Sequence, residues 1–349
     1  MNKFIIINQH KFTHEELLVM SQQLTGWQKD AYDFAAWLTS DDDTKYEFYT
    51  SGTTGPPKIL EFSRAQVLQS AQRTITYFRL KPTDHFLLCI PAKFVGGSMM
   101  IARAWALGAP ITFAEPALDM SEKCSETNAN IVSFSPAQIS KLLNQKNGYK
   151  ILSQFSIILI GGGILSEEDK RKLKLFSSQI FLTYGMTETL SHVAVQRIAP
   201  TYDDSFRSIS KHIVFSTNAT HCLKIMMHDK IIITKDLVKI QDPYSFQWLG
   251  REDDVINSGG VKLYPENIEK KIINAGLMKE GEFYITSFKD ELFQQVPGMI
   301  TVFPIYEALK ISINQLLNKH EKIKYWIIKN QFEYTDNGKL RREKNITPE

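Results

Sequence analysis

The feature that most restricts the fold of this chain is an alternation of short apolar runs with helix-length stretches between about Arg64 and Tyr184. HFLLCI (85–90), PITFA (110–114), NIVSF (130–134), SIILI (156–160) and QIFLTY (179–184) each read as a buried strand. GGSMMIARAWALG (96–108) has helical length with glycine at each end, and PAQISKLLNQ (136–145) repeats the theme. Ser166 has the look of a helix N-cap, with Asp169 three residues on in a capping-box-like position. Such alternation implies βαβ units and a parallel sheet, with ligand loops at the carboxyl ends of the strands. After Gly185 the pattern changes. VAVQRI, CLKIMM, KIIITK and LVKI are short, β-like and joined by polar turns, which suggests a smaller antiparallel sheet or barrel. Around Leu249 the stretch WLGREDDVINSGG is polar and glycine-bearing, suited to a domain junction. The expected architecture is therefore α/β. A large N-terminal domain (1–250) carries the parallel sheet and a smaller β subdomain, and a small α+β domain (251–349) follows.

At 349 residues the chain exceeds one typical core, and 43% hydrophobic residues permit extensive burial. A net charge of +3 is too mild to argue for nucleic acid. The basic run KLRREK near the end is short and has no recognition fold around it. Cys89, Cys124 and Cys222 are scattered and form no CxxC, so neither a zinc ribbon nor a disulfide framework is indicated and a reducing compartment is expected. The apolar run in MNKFIIINQHKF is too short for a signal sequence, and no stretch approaches 18 apolar residues. A soluble cytoplasmic protein without a membrane span is the expectation.

Five islands carry chemistry. YTSGTTGPPK (49–58) is rich in hydroxyls and glycine, and offers donors to a ligand rich in negative oxygens such as phosphate. It fails the Walker A pattern, because Gly52 and Gly55 are too close and Lys58 follows Pro57; a plain flexible turn is the alternative. Gly161-Gly162-Gly163 follows a buried strand, where open backbone could receive a flat base or merely turn the chain. TYGMTET (183–189) holds Glu188 among hydroxyls, a natural Mg²⁺ ligand beside phosphate or else a solvated glutamate. KDLVKI (235–240) offers Asp236, whose carboxylate suits two ribose hydroxyls and equally a turn. NGKLRRE (337–343) sets Lys339 in a glycine-bearing turn that could also be a solvated basic tail.

In their order and spacing these islands, with GREDDVINSGGVKLYPENIE (250–269), resemble the acyl-adenylate-forming superfamily of acyl- and aryl-CoA ligases, peptide-synthetase adenylation domains and luciferases. The resemblance spans roughly 49–349. WQKDAYDFAAWL and IPAKFVGGSMMIARAWALGAPI (90–111) further resemble compact o-succinylbenzoate–CoA ligases of menaquinone synthesis. Other aryl- or acyl-CoA ligases, and a non-catalytic nucleotide-binding relative, are the competing readings. Three departures stand out. Superfamily members usually carry a longer segment before the phosphate loop, where 48 residues stand here; Lys235 replaces a glycine before Asp236; and FEYTDNGK has no arginine ahead of its lysine.

The resemblance implies ATP and CoA as co-substrates, Mg²⁺, and a small-molecule carboxylic acid. It assigns Thr50, Ser51, Gly52, Thr53, Thr54, Gly55 and Lys58 to the β,γ-phosphates, and Glu188 to the metal. Gly161, Gly162, Tyr184 and Gly185 would frame adenine, with Met186 and Thr187 in the same motif, and Asp236 and Arg251 would hold the ribose. Lys339 would act on the carboxylate, Asp253 as hinge, and Ser258, Gly259 and Gly260 as the CoA tunnel. For the acid itself Lys93, Arg103, Ser191 and His192 are candidates; Arg103 could instead reach solvent along its helix, and His192 could be an ordinary buried imidazole.

Overall fold

A computed structural model of the chain describes residues 3–49, 58–228, 230–333 and 340–348. By its contacts the chain divides into two compact units, Met1–Ile213 and Val214–Glu349. The boundary at 250/251 expected from the sequence lies within the second unit.

The first unit contains β1 (Phe4–Ile7), β2 (His10–Thr13), β3 (Tyr46–Tyr49), β4 (Ile59–Phe62), β5 (Phe86–Leu88), β6 (Ile111–Phe113), β7 (Ile131–Phe134), β8 (Ile157–Ile160), β9 (Gln179–Met186), β10 (Ser191–Ala199) and β11 (Phe206–Ser208). Its sheet runs in the order β2-β1-β6-β5-β7-β8-β9-β10-β11. From β1 through β9 every neighbour pair is parallel. β2 and β10 join antiparallel at the two ends, with β11 beyond β10. The parallel strands are covered on both faces, which is why they read as unbroken apolar runs: Phe86, Leu87, Ile131, Val132 and Ile158 have almost no exposed surface. β3 and β4, which precede and follow residues 50–57 in the sequence, form a separate antiparallel ladder.

Local sequence explains the helices. Val95–Leu107 is buried from Gly97 to Trp105 and stops at Gly108, which adopts φ +71° and returns its N–H to Ala104 and Trp105 carbonyls. Pro136–Leu143 begins with a reciprocal Ser135/Gln138 capping box. Ser166 does cap Glu167–Leu173, its Oγ accepting from the Asp169 amide at 2.9 Å. Ahead of the expected alternation, β1 and β2 and the helices His14–Gln23 and Gly26–Thr39 contribute Ile5, Ile7, Leu17 and Phe34 to the core.

The second unit contains β12 (Ile213–Thr217), β13 (Cys222–Met227), β14 (Lys230–Asp242), β15 (Ser245–Arg251), β16 (Ile256–Ser258), β17 (Val261–Leu263), β18 (Phe283–Asp290), β19 (Gln294–Thr301) and β20 (Tyr325–Ile328). β12-β13-β14-β15 are successive neighbours. A second sheet runs β17-β16-β19-β18, and β20 adds parallel to β19. Helices Pro265–Asn274 and Glu307–Leu316 bury Ile268, Ile272 and Ile313 against Ile285 and Met299 on one face of that sheet. Tyr284, Phe288, Val296 and Ile300 form a smaller cluster on alternate positions.

Two expectations change. VAVQRI does not join a separate small sheet. The turn after β9 is so tight that the chain folds straight back, and β10 extends the parallel sheet antiparallel, Val195 opposite Thr183. KIIITK and LVKI are one strand, β14, because β13 pairs with its first half and β15 with its second. No helix among the described residues is long and apolar enough to cross a membrane.

Candidate functional site

In the first unit, glycines stand at two strand ends, Gly161 and Gly162 after β8 and Gly185 near the end of β9. Gly161 follows β8 and donates its N–H to Phe134 O at 3.0 Å. A side chain there would meet Thr183 Oγ1 at 2.6 Å, and Gly162 adopts φ +86° with open space around it. Gly185, near the end of β9, is required by packing: a Cβ would lie 2.3 Å from Ser191 O. The ring of Tyr184 packs against Phe206, centroids 5.6 Å apart. Met186 ends β9, and Thr187–Thr189 make a 3₁₀ turn that carries the half-buried Glu188. The turn is tied by Met186 N donating to Thr189 Oγ1 at 3.0 Å and by Ser70 Oγ donating to Leu190 O at 2.6 Å. Leu190 and Ser191 sit at φ +50° and +104°, strained values for residues with side chains.

Beside this tip lies a buried cation. Arg103 projects from Val95–Leu107, a helix apolar around its buried turns, and is 2% exposed. It therefore does not reach solvent, contrary to the alternative raised from the sequence. Its Nη2 donates to Ser191 Oγ at 2.6 Å and lies 3.5 Å from His192 Nδ1. Its Nε is buried without a hydrogen-bond partner, and no carboxylate among the described residues pairs with it. Burial pulls the guanidinium down to about 9, which still leaves it charged at neutral pH. His192 is buried with Nε2 3.2 Å from Thr74 Oγ1. Burial first, then the charges of Arg103 and Arg73, hold its imidazole well below the ordinary range, so it is neutral. Arg73 also leaves a buried Nε without a partner. Sequence reasoning missed Arg73 and Thr74, which nothing in their spacing marks. Lys93 is exposed, with Nζ 5.1 Å from the Phe94 ring, and has no contact with this cluster among the described residues.

In the second unit, Asp236 on β14 stands opposite Arg251 on β15. A chain of alternating charge runs through them. Lys235 Nζ meets Asp253 Oδ1 at 2.9 Å, Asp253 Oδ2 meets Arg251 Nη2 at 3.2 Å, and Arg251 Nη1 meets Asp236 Oδ1 at 3.5 Å. Trp248 Nε1 donates to the same Asp236 oxygen at 3.3 Å. Burial opposes the charge of Asp253, but Lys235 and Arg251 outweigh it and hold the carboxyl below its usual range. Ser258 is buried at the end of β16. Gly259 and Gly260 make a two-residue turn with φ +58° and +83°, the values a tight hairpin needs. A Cβ on Gly259 would strike the Phe293 ring at 2.8 Å.

Of the opening loop, Tyr49 and the exposed Lys58 are described; Thr50, Ser51, Gly52, Thr53, Thr54 and Gly55 lie outside the described residues, as does Lys339. Among those described, no group of three or more His, Cys, Asp or Glu could hold a metal ion.

Residues 4–219 match the family described as AMP-binding enzyme. A 2-succinylbenzoate–CoA ligase from Oceanobacillus iheyensis is 23% identical over 314 residues, covering 80% of this chain and 63% of that protein. The chain thus spans under two thirds of the length of such curated relatives. An acyl-CoA synthetase (AMP-forming)/AMP-acid ligase II-like protein from Dyadobacter fermentans superposes with a TM-score of 0.61 at 25% identity, covering 93% of this chain and 96% of that one. The fold is shared with an o-succinylbenzoate coenzyme A synthetase from Bacillus subtilis, solved with ATP and magnesium ion: TM-score 0.75, 14% identity, covering 98% and 96%.

Proposed function

The chain belongs to the AMP-binding enzyme family, and from that premise we propose that it is an ATP-dependent acid–CoA ligase acting on an aromatic dicarboxylate of the o-succinylbenzoate type. A carboxylate resists thiol attack because its carbonyl carbon is electron-rich and its leaving group poor. In the first step a carboxylate oxygen attacks the α-phosphorus of ATP; the bond to the bridging oxygen breaks, releasing pyrophosphate and leaving acyl-AMP. In the second the CoA thiol loses its proton to solvent, sulfur attacks the acyl carbon, and AMP departs as the C–S bond forms.

Thr50, Ser51, Gly52, Thr53, Thr54, Gly55 and Lys58 are assigned to the β,γ-phosphates. Gly161, Gly162, Tyr184, Gly185, Met186 and Thr187 are assigned to adenine, and Asp236 and Arg251 to the ribose hydroxyls. The donor set suits Mg²⁺: Glu188 offers one half-buried carboxylate, and no cysteine–histidine cluster competes among the described residues. When bound, the ion neutralises phosphate oxygens. Lys339 supplies a fixed positive charge where negative charge builds in the first step. A pivot at Asp253, beside the 250/251 boundary, then exchanges Lys339 for Ser258, Gly259 and Gly260 along the thiol arm. The three free cysteines are buried, in keeping with a reducing, cytoplasmic setting.

The observation that carries the acid assignment is Arg103, a buried cation with no described counter-charge, bonded to Ser191. Charges are withdrawn from water at a cost unless something pairs with them. The aromatic carboxylate of o-succinylbenzoate would supply that partner while the aliphatic one is activated. The curated relative and the Bacillus subtilis synthetase bear names for that same acid. The test is pyrophosphate release with o-succinylbenzoate, benzoate, a fatty acid or no acid. Release should be fastest with o-succinylbenzoate. Arg103→Met should raise its KM by roughly tenfold or more, as loss of a buried charge pair does, and leave benzoate unaffected. A wild-type chain that prefers benzoate or the fatty acid would overturn the assignment.

A further inference from the structure

We propose that Arg73 is a specificity-determining residue of the acid site, a second positive charge set beside Arg103 for an acid that keeps one carboxylate ionised while the other is activated; the proposal rests on the acid assignment given to Arg103 above. Arg73 lies on the helix Arg64–Phe78, which opens with a reciprocal Ser63/Gln66 capping box. Positions three and four apart share a helix face, so Ser70, Arg73 and Thr74 lie on one. That face is turned to the β9–β10 hairpin. Ser70 Oγ donates to Leu190 O at 2.6 Å, Thr74 Oγ1 lies 3.2 Å from His192 Nε2, and both side chains are buried. Arg73 stands between these two anchors in the sequence, half-buried, so the fold sets its place. Its Nε is buried without a hydrogen-bond partner, and no carboxylate among the described residues pairs with it.

The two arginines meet at His192. Arg103 Nη2 lies 3.5 Å from its Nδ1, and after burial the charges of Arg103 and Arg73 are what keep the imidazole neutral. Burial lowers both guanidiniums. Arg251 in the second unit is the opposite case: burial works against its charge, yet Asp236 and Asp253 hold it above its ordinary value. A cation withdrawn from water without a partner costs stability, and a like charge nearby adds to that cost. A helix that only had to fill this space would use apolar residues, as Val67, Ala71 and Ile75 do on the same helix. Two cations around a neutral imidazole make a site whose electrostatic need an anion meets. Their parts differ. Arg103 makes a directed bond to Ser191 Oγ at 2.6 Å, whereas Arg73 makes no such bond and contributes charge. An acid with a single carboxylate spends it on adenylation and has nothing left to face the pair. An aromatic dicarboxylate keeps one.

The test uses Arg73→Met and Arg73→Lys in the full chain, with thermal unfolding to certify the fold. Pyrophosphate release at saturating ATP is followed with o-succinylbenzoate and with benzoate. Arg73→Met should raise KM for o-succinylbenzoate roughly tenfold, the effect of one charge a few Å away in a partly buried site, with kcat little changed. The kcat/KM preference over benzoate should fall by the same factor. Arg73→Lys keeps the charge and should restore most of that preference. Should Arg73→Met unfold, Arg73→Gln removes the same charge and is read in the same way. An equal rise in KM for benzoate, a lysine that rescues nothing, or no change with either acid would overturn the proposal, because a residue that merely packs affects both acids alike and is not restored by charge. If the unaltered chain itself prefers benzoate, or releases no pyrophosphate with either acid, the functional reading fails and this proposal falls with it; that result appears before any substitution is made, so the two failures are distinct.

Discussion

Arg103 in the first unit and Arg342 in the second are both withdrawn from water, but their surroundings differ. Arg342 grips Glu269 and faces Glu266, and every nitrogen that matters has a protein partner. Arg103 has a hydroxyl, a thioether and a neutral imidazole, and one nitrogen with nothing. A protein can carry an unpaired buried cation only at a cost in stability. The satisfied arginine is explained by the fold alone. The unsatisfied one has no carboxylate partner among the described residues, which is the ground of the acid assignment proposed above.

Stability measurements discriminate between the two most strongly. Arg342→Met strands Glu269 and Glu266 in the interior and should cost about 3–5 kcal/mol by chemical denaturation. A loss under about 1 kcal/mol would mean the pair is not structural. Next in size is a pH effect at Glu266, which faces Arg342, Glu269 and Asp254. Burial pushes its carboxyl up from 4.5 to about 7, against the pull of Arg342 and with further repulsion from Glu269 and Asp254. The folded state therefore binds its proton more tightly than the unfolded state. The associated stability is complete below pH 4.5 and is lost as pH rises through 7, a change on the order of 3 kcal/mol. Glu266→Gln should flatten the difference between pH 5 and 8; an unchanged slope would assign the titration elsewhere. Third, Arg103→Met, the counterpart of the first substitution, should leave stability unchanged or raise it by about 1 kcal/mol without ligand. A loss like that of Arg342→Met would erase the contrast. The smallest effect belongs to Lys235→Gly, which removes a half-exposed pair with Asp253. It should cost under about 1 kcal/mol and vanish in high salt.

Much of the first unit is visible in its sequence because its parallel strands have no solvated face, so β5 through β9 stand out as apolar runs. β14 was harder. Lys235 and Asp236 interrupt its apolar pattern, and only pairing on both sides reveals that the strand continues through them. Arg103 was nearly legible: a single charge within the apolar run SMMIARAWAL has no polar face to emerge on. Arg342 was not, since its meaning depends on Glu269, 73 residues away in the chain. Gly259 and Gly260 were read from a motif, and the structure gives them a second reason to be glycine in the hairpin turn they make. The phosphate reading of residues 49–58 came from their hydroxyls and glycines and the role of Lys339 from resemblance, and Thr50 to Gly55 and Lys339 lie outside the described residues.

The hairpin between β9 and β10 has an implication for how such a chain could diversify. Glu188, proposed above for the metal, and Ser191, proposed for the acid, are separated by two residues on one taut turn whose backbone is pinned by Thr189 and Ser70. An insertion or a register slip that retuned Ser191 for a new acid would drag the carboxylate out of place as well. Under the proposed assignment a change of acid would be accommodated more readily on the helix bearing Arg103, whose side chain meets Ser191 without belonging to that turn.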